Sequence, residues 1–148
     1  NTDYIFGLGD YVFDSCELSF YGYTNSAVGG YITAAREQTL GYLFNNCKIT
    51  ANPELVVNAG YLGRPWRETA VVLFFNTIIQ KDNLIKPEGW TSMSGVDPRQ
   101  AKFKEYNTKL ENGSKVDLSK RLGSVISDND AKSISVKGYL SGWTPSSL

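Results

Sequence analysis

The stretch that decides the fold is Tyr42–Ile49, which reads YLFNNCKI. The same pattern stands at Tyr11–Leu18 (YVFDSCEL) and, less closely, at Val71–Ile78 (VVLFFNTI). In each copy a short run of aromatic and β-branched residues leads into a polar turn and a second apolar run. This arrangement is typical of short β-strands, whereas a helix would space its apolar residues by three and four.

The three stretches are copies of one repeat. Aligned on Phe13, Phe44 and Phe74, they recur at spacings of 31 and 30 residues. A unit this short cannot bury its apolar face alone, so successive units must stack on one another. We therefore predict an all-β chain folded as a parallel β-solenoid, with the three phenylalanine rings stacked inside it.

Two cysteines, Cys16 and Cys47, hold the same position in consecutive repeats. Strands of adjacent coils lie about 4.8 Å apart, so we predict that the two side chains are neighbours. The pattern leaves two states open, a disulfide or two reduced thiols side by side in the core, and an extracellular protein would favour the disulfide.

The repeat fades after about residue 108. We predict that residues 1–108 form the coils of the solenoid and that residues 109–148 form a tail that packs back on the solenoid or covers its open end. Ser127 or Asp128 is placed to begin a short helix that runs to about Val136.

The composition excludes several kinds of chemistry. The chain of 148 residues has no histidine and only two cysteines, which rules out Ser-His-Asp and Cys-His catalysis and histidine-based zinc sites. Fifteen basic residues balance fifteen acidic ones, so nothing favours nucleic acid or a membrane surface as a partner. An enzyme of this composition would work through Asp or Glu and without a cofactor.

The candidate site residues are Asp3 and the turn Arg64-Pro65-Trp66. Asp3 opens an apolar strand, where it is either a turn residue or a placed functional group. Proline fixes the backbone of the turn, arginine can hold a carboxylate in fork geometry, and tryptophan can stack on a sugar ring or pack in the core.

Six ordered segments resemble the pectin methylesterase (pectinesterase) family, and the resemblance runs from Asn1 to about Pro145. The segments are Asn1–Gly7 (NTDYIFG), Gly30–Ala34 (GYITA), Gly41–Ile49 (GYLFNNCKI), Tyr61–Trp66 (YLGRPW), Pro87–Trp90 (PEGW) and Lys104–Asn107 (KEYN). YLGRPW is the most distinctive of them. Met93 and the closing GWTP segment look more like the bacterial branch of the family.

The resemblance implies a right-handed parallel β-helix and a secreted, cofactor-free enzyme. Its reaction would be hydrolysis of galacturonate methyl esters in pectin (homogalacturonan) to pectate and methanol. On the matching motifs Asp3 would be the nucleophile, and Arg64 would pair with it, favour its ionised form and hold its orientation. The residues that would line the sugar-binding groove are Phe6, Trp66, Thr69 and Met93.

One part of the family pattern is absent from these 148 residues. Family members carry a second aspartate, the general acid/base, in a Q-D-T motif about one coil before the nucleophile, and its glutamine helps to form the oxyanion hole. No such motif stands in this sequence. We expect it upstream, in an N-terminal half that is either a second chain or lost, and we expect the chain alone to be nearly inert.

Three other functions stay open on the sequence. The chain could be a non-catalytic β-helix that binds pectin, or a related esterase or thioesterase acting on other acyl groups. A polysaccharide lyase is a third reading, although the sequence shows no clustered aspartates for Ca²⁺. Methanol release distinguishes an esterase from a lyase, whose product is an unsaturated sugar.

Overall fold

The computed structural model describes residues 3–22, 27–54 and 57–143. Asn1 and Thr2 of the first family motif, and the tail beyond Trp143, lie outside the described residues.

Short parallel strands make up the body of the molecule. In chain order they are β1 Asp3–Gly7, β2 Tyr11–Asp14, β3 Glu17–Phe20, β4 Tyr31–Ala35, β5 Tyr42–Asn45, β6 Lys48–Ala51, β7 Tyr61–Gly63, β8 Val71–Phe75, β9 Ile78–Ile79, β10 Lys102–Tyr106, β11 Lys109–Leu110 and β12 Ser124–Val125. A 3-10 turn covers Pro98–Gln100, and two single-turn helices follow the strands, α1 Asp128–Ala131 and α2 Val136–Tyr139.

The strands form three sheets of three, five and four strands, and successive strands within a sheet come from successive coils. The orders are β1-β4-β7, β12-β10-β8-β5-β2 and β11-β9-β6-β3, and every paired strand is parallel to its neighbour. Neighbours in a sheet are therefore one coil apart in sequence. This is the predicted parallel β-solenoid, with about three turns.

The predicted phenylalanine ladder is present. Phe13 lies opposite Phe44, and Phe44 lies opposite Phe74, in the second sheet. The ring centroids are 4.7 and 4.4 Å apart, with an interplanar angle of 7° in both pairs. Phe44 and Phe74 are fully buried, so the stack runs through the core and fixes the register of the coils.

A second column lies at the corner that follows the second sheet. Ser15, Asn46, Asn76 and Asn107 take this position in successive coils, and all have φ between 52° and 55°. Asparagine tolerates this left-handed conformation better than most residues. The Asn107 side chain donates to Asn76 Oδ1 at 2.8 Å, and the Asn76 side chain donates to Asn46 Oδ1 at 3.3 Å, so the column is also a hydrogen-bonded ladder.

Ser15 is the one member of this column that is not asparagine, which suggests a stabilising substitution. We expect Ser15→Asn to raise the free energy of unfolding by about 0.5–1 kcal/mol, because asparagine fits the left-handed backbone and its amide can extend the ladder to Asn46. Urea unfolding followed by circular dichroism measures the change. Ser15→Val is the matched contrast and should destabilise, since a β-branched residue resists positive φ; equal effects of the two would contradict this account.

The two cysteines lie on adjacent coils, as predicted. Strand pairs on either side of them, Phe13 with Phe44 and Glu17 with Lys48, place Cys16 opposite Cys47. Both are free thiols in this structure, and Cys47 Sγ donates to the Phe13 carbonyl at 3.3 Å. Burial raises the pKa of the Cys47 thiol to about 11, which keeps it protonated and weakly nucleophilic at neutral pH.

The position next to Phe74 in the phenylalanine ladder, one coil further along the chain, is taken by a charged residue that forms an ion pair. Glu105 lies opposite Phe74 and is buried, and Arg121 Nε donates to Glu105 Oε1 at 2.8 Å. Arg121 Nη1 donates to the carbonyls of Lys86 and Pro87 at 3.0 and 2.9 Å. With side chains only 3% and 2% exposed, Arg121 and Glu105 close this end of the core with a buried salt bridge.

The tail differs from the sequence prediction in two ways. Strand pairing continues past residue 108, since β11 pairs with β9 and β12 pairs with β10. The predicted helix through Val136 is two separate turns, α1 begun by Ser127 and α2 begun by Ser135. Ser135 is extended, and its side chain accepts from the Gly138 N–H, so this local hydrogen bond starts a new helix where one helix was expected.

Candidate active site

Asp3 and Arg64 form an ion pair across two coils of the first sheet. Asp3 begins β1, it lies opposite Tyr31 in β4, and Arg64 directly follows β7. Arg64 Nε donates to Asp3 Oδ1 and Arg64 Nη2 donates to Asp3 Oδ2, both at 2.8 Å. The Arg64 and Asp3 side chains are 19% and 17% exposed, so the pair is largely but not completely shielded from water. The predicted pairing is therefore present.

The guanidinium of Arg64 stacks on the ring of Tyr31. The Arg64 Cζ lies 3.9 Å from the centroid of the Tyr31 ring, which itself stacks on Tyr61 at 5.7 Å. Stacking of this kind attracts the cation to the ring and limits its rotation. Hydrogen bonding to Asp3 raises the pKa of Arg64 above its ordinary value, so the group stays charged. Arg64 can therefore hold the carboxylate in one orientation.

Gly63 sets the position of Arg64. A Cβ on Gly63 would lie 1.9 Å from Thr33 Oγ1, so only glycine allows β7 to approach β4 this closely. The Thr33 hydroxyl donates to the Leu62 carbonyl at 3.0 Å, and the Arg64 N–H donates to the Thr33 carbonyl at 3.0 Å. The YLGRPW motif thus places the arginine by backbone contacts with the preceding coil.

Three of the predicted groove residues lie on or shortly after strands of the first sheet. Phe6 lies on β1 opposite Ala34 and is 65% exposed, which is unusual for a phenylalanine. Trp66 is half-buried, and its backbone N–H donates to the Ala35 carbonyl at 2.9 Å. Thr69 is exposed and donates to the Arg36 carbonyl at 3.4 Å.

Met93 lies in the next turn along the solenoid. The N–H of Thr91 donates to the Gly63 carbonyl at 3.2 Å, which anchors the chain just before Met93 to the residue before Arg64. Met93 and Val96 exchange backbone hydrogen bonds at 3.2 and 2.9 Å, closing a tight turn, and the Met93 side chain is half-buried. The contacts of Phe6, Trp66, Thr69 and Met93 with a substrate stay a prediction.

Two residues beside this site were missed by sequence reasoning. Tyr31, on whose ring Arg64 stacks, is the second residue of the GYITA motif. Its contact with Arg64 depends on how the coils stack, which the motif does not show. Arg36 lies with its Cζ 5.3 Å from the centroid of the Trp66 ring, and no motif marked it.

The described ranges contain no group of three or more His, Cys, Asp or Glu residues placed to hold a metal ion. No helix in the same ranges is long and apolar enough to cross a membrane.

The family model and the relatives that match this sequence all belong to one family. A family model described as Pectinesterase matches residues 1–143. A probable pectinesterase A from Neosartorya fischeri is 40% identical over 126 residues, covering 81% of this chain and 35% of the relative. Pectinesterase 2 from Olea europaea is 34% identical over 137 residues, covering 88% of this chain and 34% of the relative. The chain spans about a third of the length of these relatives.

Comparison with solved structures gives the same answer for the fold. The crystal structure of the pectin methylesterase from Aspergillus niger, in deglycosylated form, superposes with a TM-score of 0.72 at 29% identity, covering 95% of this chain and 43% of that chain. A pectin methylesterase in complex with a hexasaccharide superposes with a TM-score of 0.76 at 24% identity, covering 99% of this chain and 49% of that chain.

Proposed function

The chain belongs to the pectinesterase family, and we propose that it hydrolyses galacturonate methyl esters in pectin, with Asp3 as the nucleophile. The observation that carries the proposal is the two-point hydrogen bonding of Asp3 by Arg64, at 2.8 Å to each oxygen, on the strand that also carries the exposed ring of Phe6. A carboxylate held so firmly at the edge of an aromatic groove suits a nucleophile better than a structural group.

The reaction would proceed in two steps. An Asp3 oxygen attacks the ester carbonyl, the tetrahedral intermediate collapses, and methoxide takes a proton from a general acid and leaves as methanol. Water then gives a proton to the same group, attacks the acyl-enzyme anhydride and releases the galacturonate carboxylate and free Asp3. Arg64 keeps the attacking oxygen in line through both steps.

We further propose that the general acid and the oxyanion donor come from a preceding coil of the same enzyme. The first coil supports this proposal, because two of its aromatic rings are partly or largely exposed. Phe13 stacks on Phe44 and is partly exposed, and Tyr11 is 52% exposed while its ring contacts Tyr42. Another coil, on a companion chain or on the same polypeptide, would cover these rings and bring the acid/base next to Asp3.

The remaining parts of the proposal follow from the family. Pectin would lie along the first sheet with sugar rings on Phe6 and Trp66, while Thr69 and Met93 would line the edges of the groove. Pectin lies in the cell wall, so the protein would act outside the cell.

Methanol release tests the proposal. The chain alone should release methanol from methylated pectin at the background rate only, and adding an N-terminal half that carries a Q-D-T motif should restore release. No methanol with that half bound would contradict the esterase proposal, as would the appearance of unsaturated sugar in its place.

The contacts of Arg64 predict that even a conservative substitution at this position lowers turnover. In the assembled enzyme we expect Arg64→Lys to lower kcat by about 10²-fold, because one ammonium cannot hold both oxygens of Asp3 and does not stack flat on Tyr31. Rates of methanol release at saturating pectin measure the effect. Arg67→Lys is the matched control, since the Arg67 side chain donates only to the Trp66 carbonyl among the described residues, and it should change kcat less than about twofold. A similar loss of kcat in both variants would argue against a role for the two hydrogen bonds from the Arg64 guanidinium to Asp3.

A further inference from the structure

The Arg64 side chain crosses one coil of the solenoid to reach Asp3. Asp3 lies opposite Tyr31, and Tyr31 lies opposite Tyr61. Arg64 follows Tyr61 by three residues in the chain. Neighbouring strands are ~4.8 Å apart, so the strands that carry Asp3 and Tyr61 are about 10 Å apart. The ring of Tyr31 belongs to the coil between them, and its centroid is 3.9 Å from Arg64 Cζ.

Two contacts of different kinds hold the guanidinium of Arg64 in the described part of the chain. One is the pair of hydrogen bonds to Asp3, 2.8 Å each, whose strength depends on the negative charge of the carboxylate. The other is the cation–π contact with Tyr31, which is only 8% exposed and therefore shielded from water. This second contact does not depend on the charge of Asp3.

The charge of Asp3 changes during the proposed reaction. In the acyl-enzyme one oxygen of Asp3 is bonded to the acyl carbon, so the group is a neutral anhydride and the ion pair with Arg64 is lost. In the second step a water oxygen bonds to the acyl carbon, and the water proton passes to the general base. The bond from that carbon to Asp3 breaks, and its electron pair returns the negative charge to Asp3. Donors that are already in position where this charge develops lower the barrier.

We propose that Tyr31 is a positioning residue for this second step, because its ring keeps the Arg64 guanidinium beside Asp3 while the acyl-enzyme is neutral. The proposal rests on the proposed function, since an acyl-enzyme forms only if Asp3 is the nucleophile. In this role Tyr31 acts through Arg64 and not on the ester itself. Removing the ring should slow hydrolysis of the acyl-enzyme more than its formation, because the ion pair still orients Arg64 in the resting enzyme.

Steady-state and rapid-mixing kinetics of methanol release in the assembled enzyme test the proposal. Tyr31→Leu should lower kcat about tenfold while kcat/KM falls less than about threefold, because kcat/KM depends only on the steps up to methanol release. Slow hydrolysis should also give a burst of about one methanol per enzyme before the steady state. Tyr31→Phe keeps the face of the ring and should stay within about twofold of the unaltered enzyme in both parameters.

Tyr106→Leu is the matched control for the loss of a stacked tyrosine ring. Tyr106 stacks on Phe75 in the second sheet, with ring centroids 4.9 Å apart, whereas Tyr31 belongs to the first sheet. This variant should keep kcat within about twofold and should show no added methanol burst. Circular dichroism checks the fold of each variant. Tyr31→Met, which fills space without an aromatic face, is measured alongside Tyr31→Leu and should behave like it.

Two kinetic results would overturn the proposal. The first is an equal loss of kcat and kcat/KM in Tyr31→Leu and Tyr31→Met, or the absence of a methanol burst, since the ring would then not act on the second step. The second is a loss in Tyr31→Phe as large as that in Tyr31→Leu, since the face of the ring would then not be what matters.

A measurement without turnover separates this inference from the esterase proposal. Asp3→Asn removes the charge of residue 3, as acylation would, and NMR follows the exchange of the Arg64 Nε proton with water. Exchange should be about tenfold faster when Tyr31→Leu is added to Asp3→Asn. If adding it changes nothing in an enzyme that otherwise releases methanol, this inference is wrong and the esterase proposal stands. If no methanol is ever released, the esterase proposal is wrong, and so is the role of Tyr31 in the second step.

Discussion

Asp3→Asn should remove essentially all turnover from the assembled enzyme, a loss of about 10⁴-fold or more in kcat. The amide has nearly the shape of the carboxylate, but it lacks the charge that makes an attacking oxygen, so no acyl-enzyme can form. Arg64 would keep one hydrogen bond to the remaining carbonyl oxygen, and the fold should be intact. Initial rates of methanol release from methylated pectin measure the effect.

Asp14→Asn is the control for Asp3→Asn. Asp14 is exposed, and its carboxylate accepts from the Asn45 side chain at 2.6 Å, on a different sheet from Asp3. This variant should keep turnover within about twofold, since a surface hydrogen bond contributes little. If Asp3→Asn released methanol at the rate of the unaltered enzyme, the role assigned to Asp3 would be wrong.

Arg121→Leu should cost about 3–5 kcal/mol in the free energy of unfolding. The substitution leaves the buried carboxylate of Glu105 without its counter-charge, and the carbonyls of Lys86 and Pro87 lose a donor. Thr108 would continue to donate to Glu105, at 3.1 Å. Domains of this size are commonly stable by only about 5–15 kcal/mol, so unfolding in urea should shift to a much lower midpoint.

A double variant distinguishes an uncompensated charge from lost packing. Glu105→Leu combined with Arg121→Leu should be more stable than Arg121→Leu alone, because it removes both charges from the core. Residue 105 lies opposite Phe74, so a leucine at this position would continue the apolar column, although the hydrogen bonds from Arg121 to the carbonyls of Lys86 and Pro87 would still be missing. Equal stability of the single and double variants would show that the cost is loss of packing only.

The exposed pair Arg99–Asp97 is the control for the buried one. Its nitrogen and oxygen are 2.9 Å apart, close to the 2.8 Å of the Arg121–Glu105 pair, but its side chains are 64% and 47% exposed. Arg99→Leu should change the free energy of unfolding by no more than about 1 kcal/mol, because water screens the pair and solvates either partner left alone. A large loss in this variant would show that hydrogen-bond length, and not burial, governs the effect.

The sequence by itself determined the architecture. A repeat of 31 and 30 residues with phenylalanine at one fixed position has few solutions, because each short unit must stack in register to bury its ring. Stacking in register also places Cys16 beside Cys47, because the two cysteines hold the same position in consecutive repeats. The pairing of Asp3 with Arg64 was predictable from family motifs, although their spacing alone gave no reason to join them.

Only the tertiary structure decided which charged side chains meet. Arg121 pairs with Glu105 in the core, Arg64 lies on Tyr31, and Arg36 lies on Trp66 with the Glu37 carboxylate 3.8 Å from its Nε. A repeat fixes which backbone positions are neighbours, but a long side chain can reach several of them. Its partner depends on burial and on the rings that hold it, and these exist only once the coils are stacked.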